Sequence, residues 1–179
     1  MLTTQLWGKE EIHLHPGEMY CSEQRLQIKT LLGSCVAVCL WEEKHQLGGM
    51  NHVMLPLCRE KNVPSTRYAN VATYVLYDMM IKLGARKRGI TARIFGGASR
   101  LGSGFSPGLS VGLRNIDVTQ RVLRRLGIPI VGSDTGGNLG RKLCFDQFTG
   151  KIRMSYLRNY SFSTEEIQVI KGERRDEVW

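Results

Sequence analysis

The chain has no apolar stretch long enough to span a bilayer as a helix. Residues 1–11 lack the basic start and apolar run of a secretory signal. Membrane insertion is therefore not expected, and the expected location is the cytoplasm. No Cys-x-x-Cys pair occurs, and the five cysteines (Cys21, Cys35, Cys39, Cys58 and Cys144) are odd in number and irregular in spacing. That excludes a disulfide framework and leaves reduced thiols, which by default are small buried hydrophobes. Acidic residues are few, 16 against 25 basic, for a net charge of +9. The excess suits an acidic partner. It is scattered over Arg86-Lys87-Arg88, Arg121 with Arg124-Arg125, Arg141-Lys142 and Arg174-Arg175. No RNP motif, zinc finger or helix-turn-helix pattern accompanies it, so no nucleic-acid partner is expected. The glycine-rich stretch at 96–112 lacks the Gly-Lys-Ser/Thr ending of a phosphate loop and reads as a surface loop bordering the site. His13 and His15 lack the further ligands a tetrahedral metal site needs.

The 179 residues, 42% of them hydrophobic, suffice for one domain with a full core. Strands are expected at 25–30, where polar and apolar residues alternate, at 46–55, stopped by Pro56, at 91–95 and at 128–131. Two more, at 142–148 and 151–157, pair about Thr149-Gly150. Residues 36–41 fit a buried strand or a short helix beginning at Cys35. A helix is expected over 64–83, capped by Ser65 or Thr66, ended by Gly84, and buried through Tyr68, Val71, Ala72, Val75, Leu76, Met79 and Leu83. A second, over 115–126, buries Val118, Val122, Leu123 and Leu126 and closes at Gly127. The fold class is α/β: a single layered domain of mixed and antiparallel sheets with two main helices. The expected organisation is a strand segment at 1–16, a main domain at 17–159 and an extension at 160–179, with a short helix at 163–171 and a frayed end. A monomer is expected, since no exposed apolar stripe is evident.

One cysteine stands apart. Leu32-Gly33-Ser34-Cys35 puts a thiol on a tight glycine corner, and sixteen residues after the start of that segment Gly48-Gly49-Met50-Asn51-His52-Val53 sets a histidine among apolar neighbours. A thiol acts as a nucleophile only as thiolate, which a nearby imidazole or a helix N-terminus can promote. Backbone N–H groups around Gly33 and Ser34 can serve a developing oxyanion. Thr30 is available to orient the imidazole.

Taken in order, Leu-Gly-Ser-Cys-Val-Ala-Val (32–38), Gly-Gly-Met-Asn-His-Val-Met-Leu-Pro (48–56), Arg-Ile-Phe-Gly-Gly-Ala-Ser (93–99) and Asp-Thr-Gly-Gly-Asn (134–138) resemble CheD, the chemoreceptor glutamine deamidases of bacterial chemotaxis. The resemblance runs from about residue 17 to about residue 156. It implies a protein-glutamine glutaminase that converts receptor glutamines to glutamates and releases ammonia, with no metal or organic cofactor. It implies a Cys-His-Thr triad of Cys35 as nucleophile, His52 as base and acid, and Thr30. It also implies methyl-accepting chemotaxis receptors as substrates and a CheC-type phosphatase as a further partner. The family's threonine can stand six residues before the cysteine, where this chain has Lys29; Thr30 is one residue closer. Because side chains alternate along a strand, the register of Thr30 decides whether it faces His52.

A non-catalytic regulatory partner of the phosphatase or receptor, with Cys35 as a core residue, is the alternative of a different class. A thiol protease is the enzymatic one. Asp134-Thr135-Gly136 is similar to the aspartic-protease triplet, but one copy would need a symmetric dimer, and its glycine-rich context reads as a turn.

Overall fold

A computed structural model describes residues 3–6, 9–58, 64–99 and 110–157. The helix expected at 163–171 and the extension around it lie outside the described residues, as do residues 100–109 of the glycine-rich stretch.

Two five-stranded sheets lie face to face, and two helices cover the outer face of the second. The first sheet is ordered β1 (Thr3–Leu6), β2 (Lys9–His13), β4 (Leu26–Leu32), β9 (Gly140–Asp146), β10 (Ile152–Leu157). The second is ordered β3 (Met19–Ser22), β6 (Leu47–Asn51), β5 (Val36–Glu42), β7 (Ile90–Gly96), β8 (Ile130–Thr135). Among the described strands, the β2–β4 and β7–β8 pairs are parallel and the others antiparallel. The latter is bridged by helix α2 (Val111–Leu126), the crossover that a parallel pair requires. Helix α1 (Ala69–Lys82) packs over β6 and β3, and α2 packs over β5 and β7.

The period of two along each strand sorts side chains between two cores. Leu26, Ile28, Leu32, Leu143 and Phe145 of the first sheet meet Cys35, Ala37, Cys39, Met50 and Phe95 of the second. On the other face of the second sheet, Val38, Leu40, Ile90, Ala92 and Ile94 meet Leu76, Met80 and Leu123 of the helices. β5 is buried on both faces, which explains why its sequence is apolar throughout and shows no alternation.

Several expectations are corrected. Residues 36–42 form a strand, so no helix N-terminus stands at Cys35. α1 begins at Ala69, not near residue 64, with Tyr68 as an N-cap whose side chain makes no capping hydrogen bond. The two expected caps act elsewhere: Ser65 Oγ accepts from the Arg67 N–H at 3.3 Å, and Thr66 Oγ1 donates to the Gly17 carbonyl at 2.7 Å. The buried stripe of α1 runs through Ala69, Ala72, Thr73, Leu76 and Met80, leaving Val75 exposed. α2 begins at Val111, capped by Ser110, and buries Asn115 and Thr119 beside Val122 and Leu123. Gly96, Gly97 and Ala98 are buried and Gly112 lies within α2, so these described parts of the glycine-rich stretch are packed interior and not surface loop.

Candidate active site

The corner at 33–35 joins the two sheets: β4 of the first ends at Leu32 and β5 of the second begins at Val36. Gly33, Ser34 and Cys35 are all buried. Their three consecutive carbonyls each accept a hydrogen bond. Gly33 O takes the Ala98 N–H at 2.8 Å, and Cys35 O takes the Gly97 N–H at 2.7 Å. Ser34 O takes the Asn115 side-chain amide at 3.2 Å. Gly96 and Gly97 make this approach possible. Gly96 has φ +104°, and a Cβ there would lie 2.2 Å from the Cys35 carbonyl oxygen. A Cβ on Gly97 would lie 2.5 Å from Ile116 of α2.

His52 follows the last residue of β6. Its N–H donates to Glu18 O at 2.9 Å, and its carbonyl accepts from the Gly17 N–H at 2.8 Å, so on one side its backbone is held by the approach to β3. On the other side Val53 and Val36 exchange both backbone hydrogen bonds, at 2.8 and 3.0 Å. That antiparallel bridge puts Ala37 opposite His52. Cys35 and Ala37 share the inter-sheet core, so Cys35 and His52 are diagonal neighbours on one face.

Thr30 comes from the facing sheet. On β4, Leu26, Ile28, Thr30 and Leu32 point inward, while Lys29 points out and pairs with Glu11 at 2.6 Å. The register thus turns Thr30 toward His52, and Thr30 Oγ1 lies 2.7 Å from His52 Nδ1. The same hydroxyl donates to the Leu14 carbonyl at 2.9 Å. A carbonyl only accepts, and with the hydroxyl proton on Leu14, Thr30 Oγ1 accepts from His52 Nδ1–H. The ring is therefore held as the tautomer whose Nε2 carries the lone pair. Nε2 is buried and has no hydrogen-bond partner among the described residues. Burial lowers the His52 pKa to about 4, with His15 adding to the shift and the Leu14 carbonyl opposing it. At neutral pH the imidazole is uncharged.

All five cysteines stand outside disulfides. Burial pushes the Cys21 thiol up to about 12 and raises that of Cys39 further, against a weaker opposing pull from Arg93. Neither is a ready nucleophile near neutral pH. No group of three or more potential metal ligands occurs among the described residues. No helix among them is long and apolar enough to cross a membrane.

Asp134 ends in a different set of contacts. Its Oδ1 accepts from Arg141 Nε at 2.7 Å and its Oδ2 from the Tyr156 hydroxyl at 2.7 Å. Both carboxylate oxygens are engaged, in keeping with a structural role for the Asp-Thr-Gly triplet. A cleft of about 490 Å³ lies there, lined by Ser133, Asp134, Gly137, Asn138, Arg141 and Tyr156, and it contains none of Thr30, Cys35 and His52.

The sequence reading missed Asn115 and the Leu14 carbonyl. Asn115 left a signal: an amide side chain four residues before Thr119 and seven before Val122, on the stripe that the second helix buries. The carbonyl left none, because its role depends on a pairing between distant strands.

Comparison with known proteins gives the family. A family model described as CheD chemotactic sensory transduction matches residues 54–156. A probable chemoreceptor glutamine deamidase CheD of Sulfurimonas denitrificans is 36% identical over 153 residues, covering 86% of this chain and 98% of that protein. Its namesake in Trichlorobacter lovleyi is 40% identical over 139 residues, covering 78% and 86%. A CheD 1 protein of Anaeromyxobacter dehalogenans, with the same probable activity in its name, is 39% identical over 138 residues, covering 77% and 80%. With a matching family model over more than half its length and relatives aligned nearly end to end, the chain belongs to the CheD family.

Proposed function

We propose that this protein is a glutamine deamidase of chemotaxis receptors, with Cys35 as nucleophile, His52 as general base and acid, and Thr30 as the residue that orients the ring. One observation carries the proposal above others: a buried histidine whose Nδ1 meets Thr30 and whose Nε2 has no partner among the described residues, on the same face as Cys35. The names of the relatives supply the substrate class.

In the proposed reaction His52 Nε2 takes the Cys35 thiol proton as the sulfur attacks Cδ of a substrate glutamine. The imidazolium forms only at this step, and the Thr30 oxygen facing Nδ1–H stabilises it. In this proposal backbone N–H groups at Gly33 and Ser34 meet the developing oxyanion. Donors of this kind are worth about 2.7–4 kcal/mol each in transition-state stabilisation. The tetrahedral intermediate collapses, the C–N bond breaks, and His52 gives its proton to the departing ammonia. Water then attacks the thioester. His52 removes a water proton and returns it to sulfur, leaving glutamate.

The proposal places this chemistry in the cytoplasm, on receptor segments rich in Glu and Gln to which the net charge of +9 is complementary. It takes the enzyme as a monomer, with a CheC-type phosphatase as its second partner. Incubation with receptor cytoplasmic fragments is the test. Specific glutamines gain about one dalton with ammonia release and no chain cleavage, and Cys35→Ala abolishes the gain. Cleavage would instead favour a protease, and an equal gain with Cys35→Ala would remove the thiol from the reaction.

A further inference from the structure

Asn115 lies on α2, outside the three residues of the triad, and is fully buried. Its Nδ2 donates to two carbonyls on different segments: Ser34 O at 3.2 Å and Met54 O at 2.9 Å. Ser34 immediately precedes the nucleophile, and Met54 follows the base by two residues. Two acceptors fix which end of the carboxamide faces them, since only the nitrogen can donate. Its Oδ1 is left buried with no hydrogen-bond partner among the described residues. Leaving a buried acceptor unpaired is costly. An apolar residue of similar volume would avoid that cost but would leave both carbonyls without this donor.

The surroundings hold α2 where this contact needs it. A Cβ on Gly112 would lie 2.6 Å from Gly97 O and 2.8 Å from Ala98 O. The helix therefore rests directly on the two residues whose N–H groups bind the carbonyls of Cys35 and Gly33. The corner and the histidine strand are already bridged at Val36–Val53. That bridge continues the β5–β6 ladder, in which Cys39–Glu42 pair with Leu47–Met50, to the end nearest the corner. The Asn115 amide adds a second tie beside that bridge, on the Ser34 and Met54 side.

We infer that Asn115 is a positioning residue: its carboxamide clamps the nucleophile's corner to the histidine's strand and so sets the approach of Cys35 Sγ to His52 Nε2. The inference rests on the deamidase proposal for its activity readout, but not for its readout on the thiol. Displacement of reacting groups by about an ångström can cost on the order of 10²-fold in rate. Asn115→Ala is expected to lower kcat per titrated active site by about that factor, with KM little changed. Alkylation of Cys35 by iodoacetamide should slow, and its pH dependence should approach that of His52→Ala. Asn115→Ser, which is smaller and cannot span both carbonyls, gives the same comparison if the alanine variant does not fold. In the wild-type protein, the Asn115 side-chain amide protons should exchange slowly with solvent.

A purely structural role predicts something else: a lower melting temperature with wild-type kcat per active site and a wild-type Cys35 alkylation profile. That result would overturn the inference, as would rapid exchange of the Asn115 amide in the wild type. If wild type leaves receptor glutamines unchanged, the deamidase proposal fails, and the alkylation profiles still decide the role of Asn115.

Discussion

Thr30 Oγ1 and His52 Nδ1 stand 2.7 Å apart across the gap between two sheets, and the same hydroxyl gives its proton to Leu14 O at 2.9 Å. The pair links a strand register to a protonation state. With Thr30 facing inward and its proton on Leu14, His52 carries its own proton on Nδ1 and leaves Nε2 unprotonated. A threonine holds an imidazole less strongly than a carboxylate does, so burial can keep the ring neutral until a thiol or water gives it a proton.

Removal of the Thr30 hydroxyl should therefore reduce catalysis more than stability. Thr30→Val is expected to lower kcat about 10- to 100-fold, the usual cost of losing a residue that orients a reactive imidazole. The loss in stability should be roughly 1–3 kcal/mol, for a carbonyl and a ring N–H left without a partner. Thr30→Ser, which keeps the hydroxyl, should retain most of the activity. Steady-state kinetics with denaturant unfolding checks both, and equal kcat for the valine variant and wild type would contradict the orienting role.

The pH profile follows from the depressed His52 value of about 4. The base works when unprotonated, so its contribution is lost as pH falls through about 4 and is nearly complete by about pH 5. An ordinary histidine would place that limb near 6.5. The acid limb of kcat/KM is expected near 4, and ¹⁵N NMR of His52 at neutral pH should show a protonated Nδ1 with an unprotonated Nε2. A limb near 6.5 that follows His52, or the opposite tautomer, would contradict the assignment.

Close packing at the corner makes its own prediction. Gly96→Ala adds a Cβ 2.2 Å from the Cys35 carbonyl oxygen at φ +104°. Gly137→Ala, at φ +68°, meets nothing within 4 Å. The second should cost only the left-handed backbone penalty, about 1–2 kcal/mol. The first should cost roughly 1–3 kcal/mol more from overpacking and should slow alkylation of Cys35. Thermal melts and thiol labelling distinguish them, and matching losses would mean that the contact at Gly96 relaxes without consequence.

Asp134 should prove structural. Burial works to raise its pKa, but hydrogen bonds from Tyr156 and Arg141 win and hold it below the usual carboxylate range. The Arg141 side chain is only 4% exposed and that of Asp134 28%. Asp134→Asn should therefore cost about 1–3 kcal/mol, less than the 3–5 kcal/mol typical of breaking a fully buried pair. Alkylation of Cys35 should continue at the wild-type rate. Loss of Cys35 reactivity in the folded variant would connect this cleft to the chemistry.

The local features of this fold are legible in the sequence, and the long-range ones are not. The alternation from Leu26 to Thr30 and the turn at Thr149-Gly150 are written in neighbouring residues, and both appear where expected. The start of α1 is not, because Thr66 spends its hydroxyl on Gly17, 49 residues away, and cannot cap the helix. Nor is the inward face of the apolar strand β5, which is covered on both sides. At the site, Cys35 and His52 stand out by residue type. The meeting of Thr30 with His52 depends on how the two sheets face each other, which no local pattern encodes.

The central claim is that Cys35 forms a thioester with substrate glutamine. Acid quenching of the enzyme during turnover of receptor cytoplasmic fragments, followed by mass analysis of the intact protein, tests it most directly. The predicted result is a covalent adduct on Cys35 with the mass of the fragment less ammonia, cleaved by hydroxylamine and absent from Cys35→Ala. Conversion of glutamine by the Cys35→Ala protein, or an adduct on another cysteine, would contradict it.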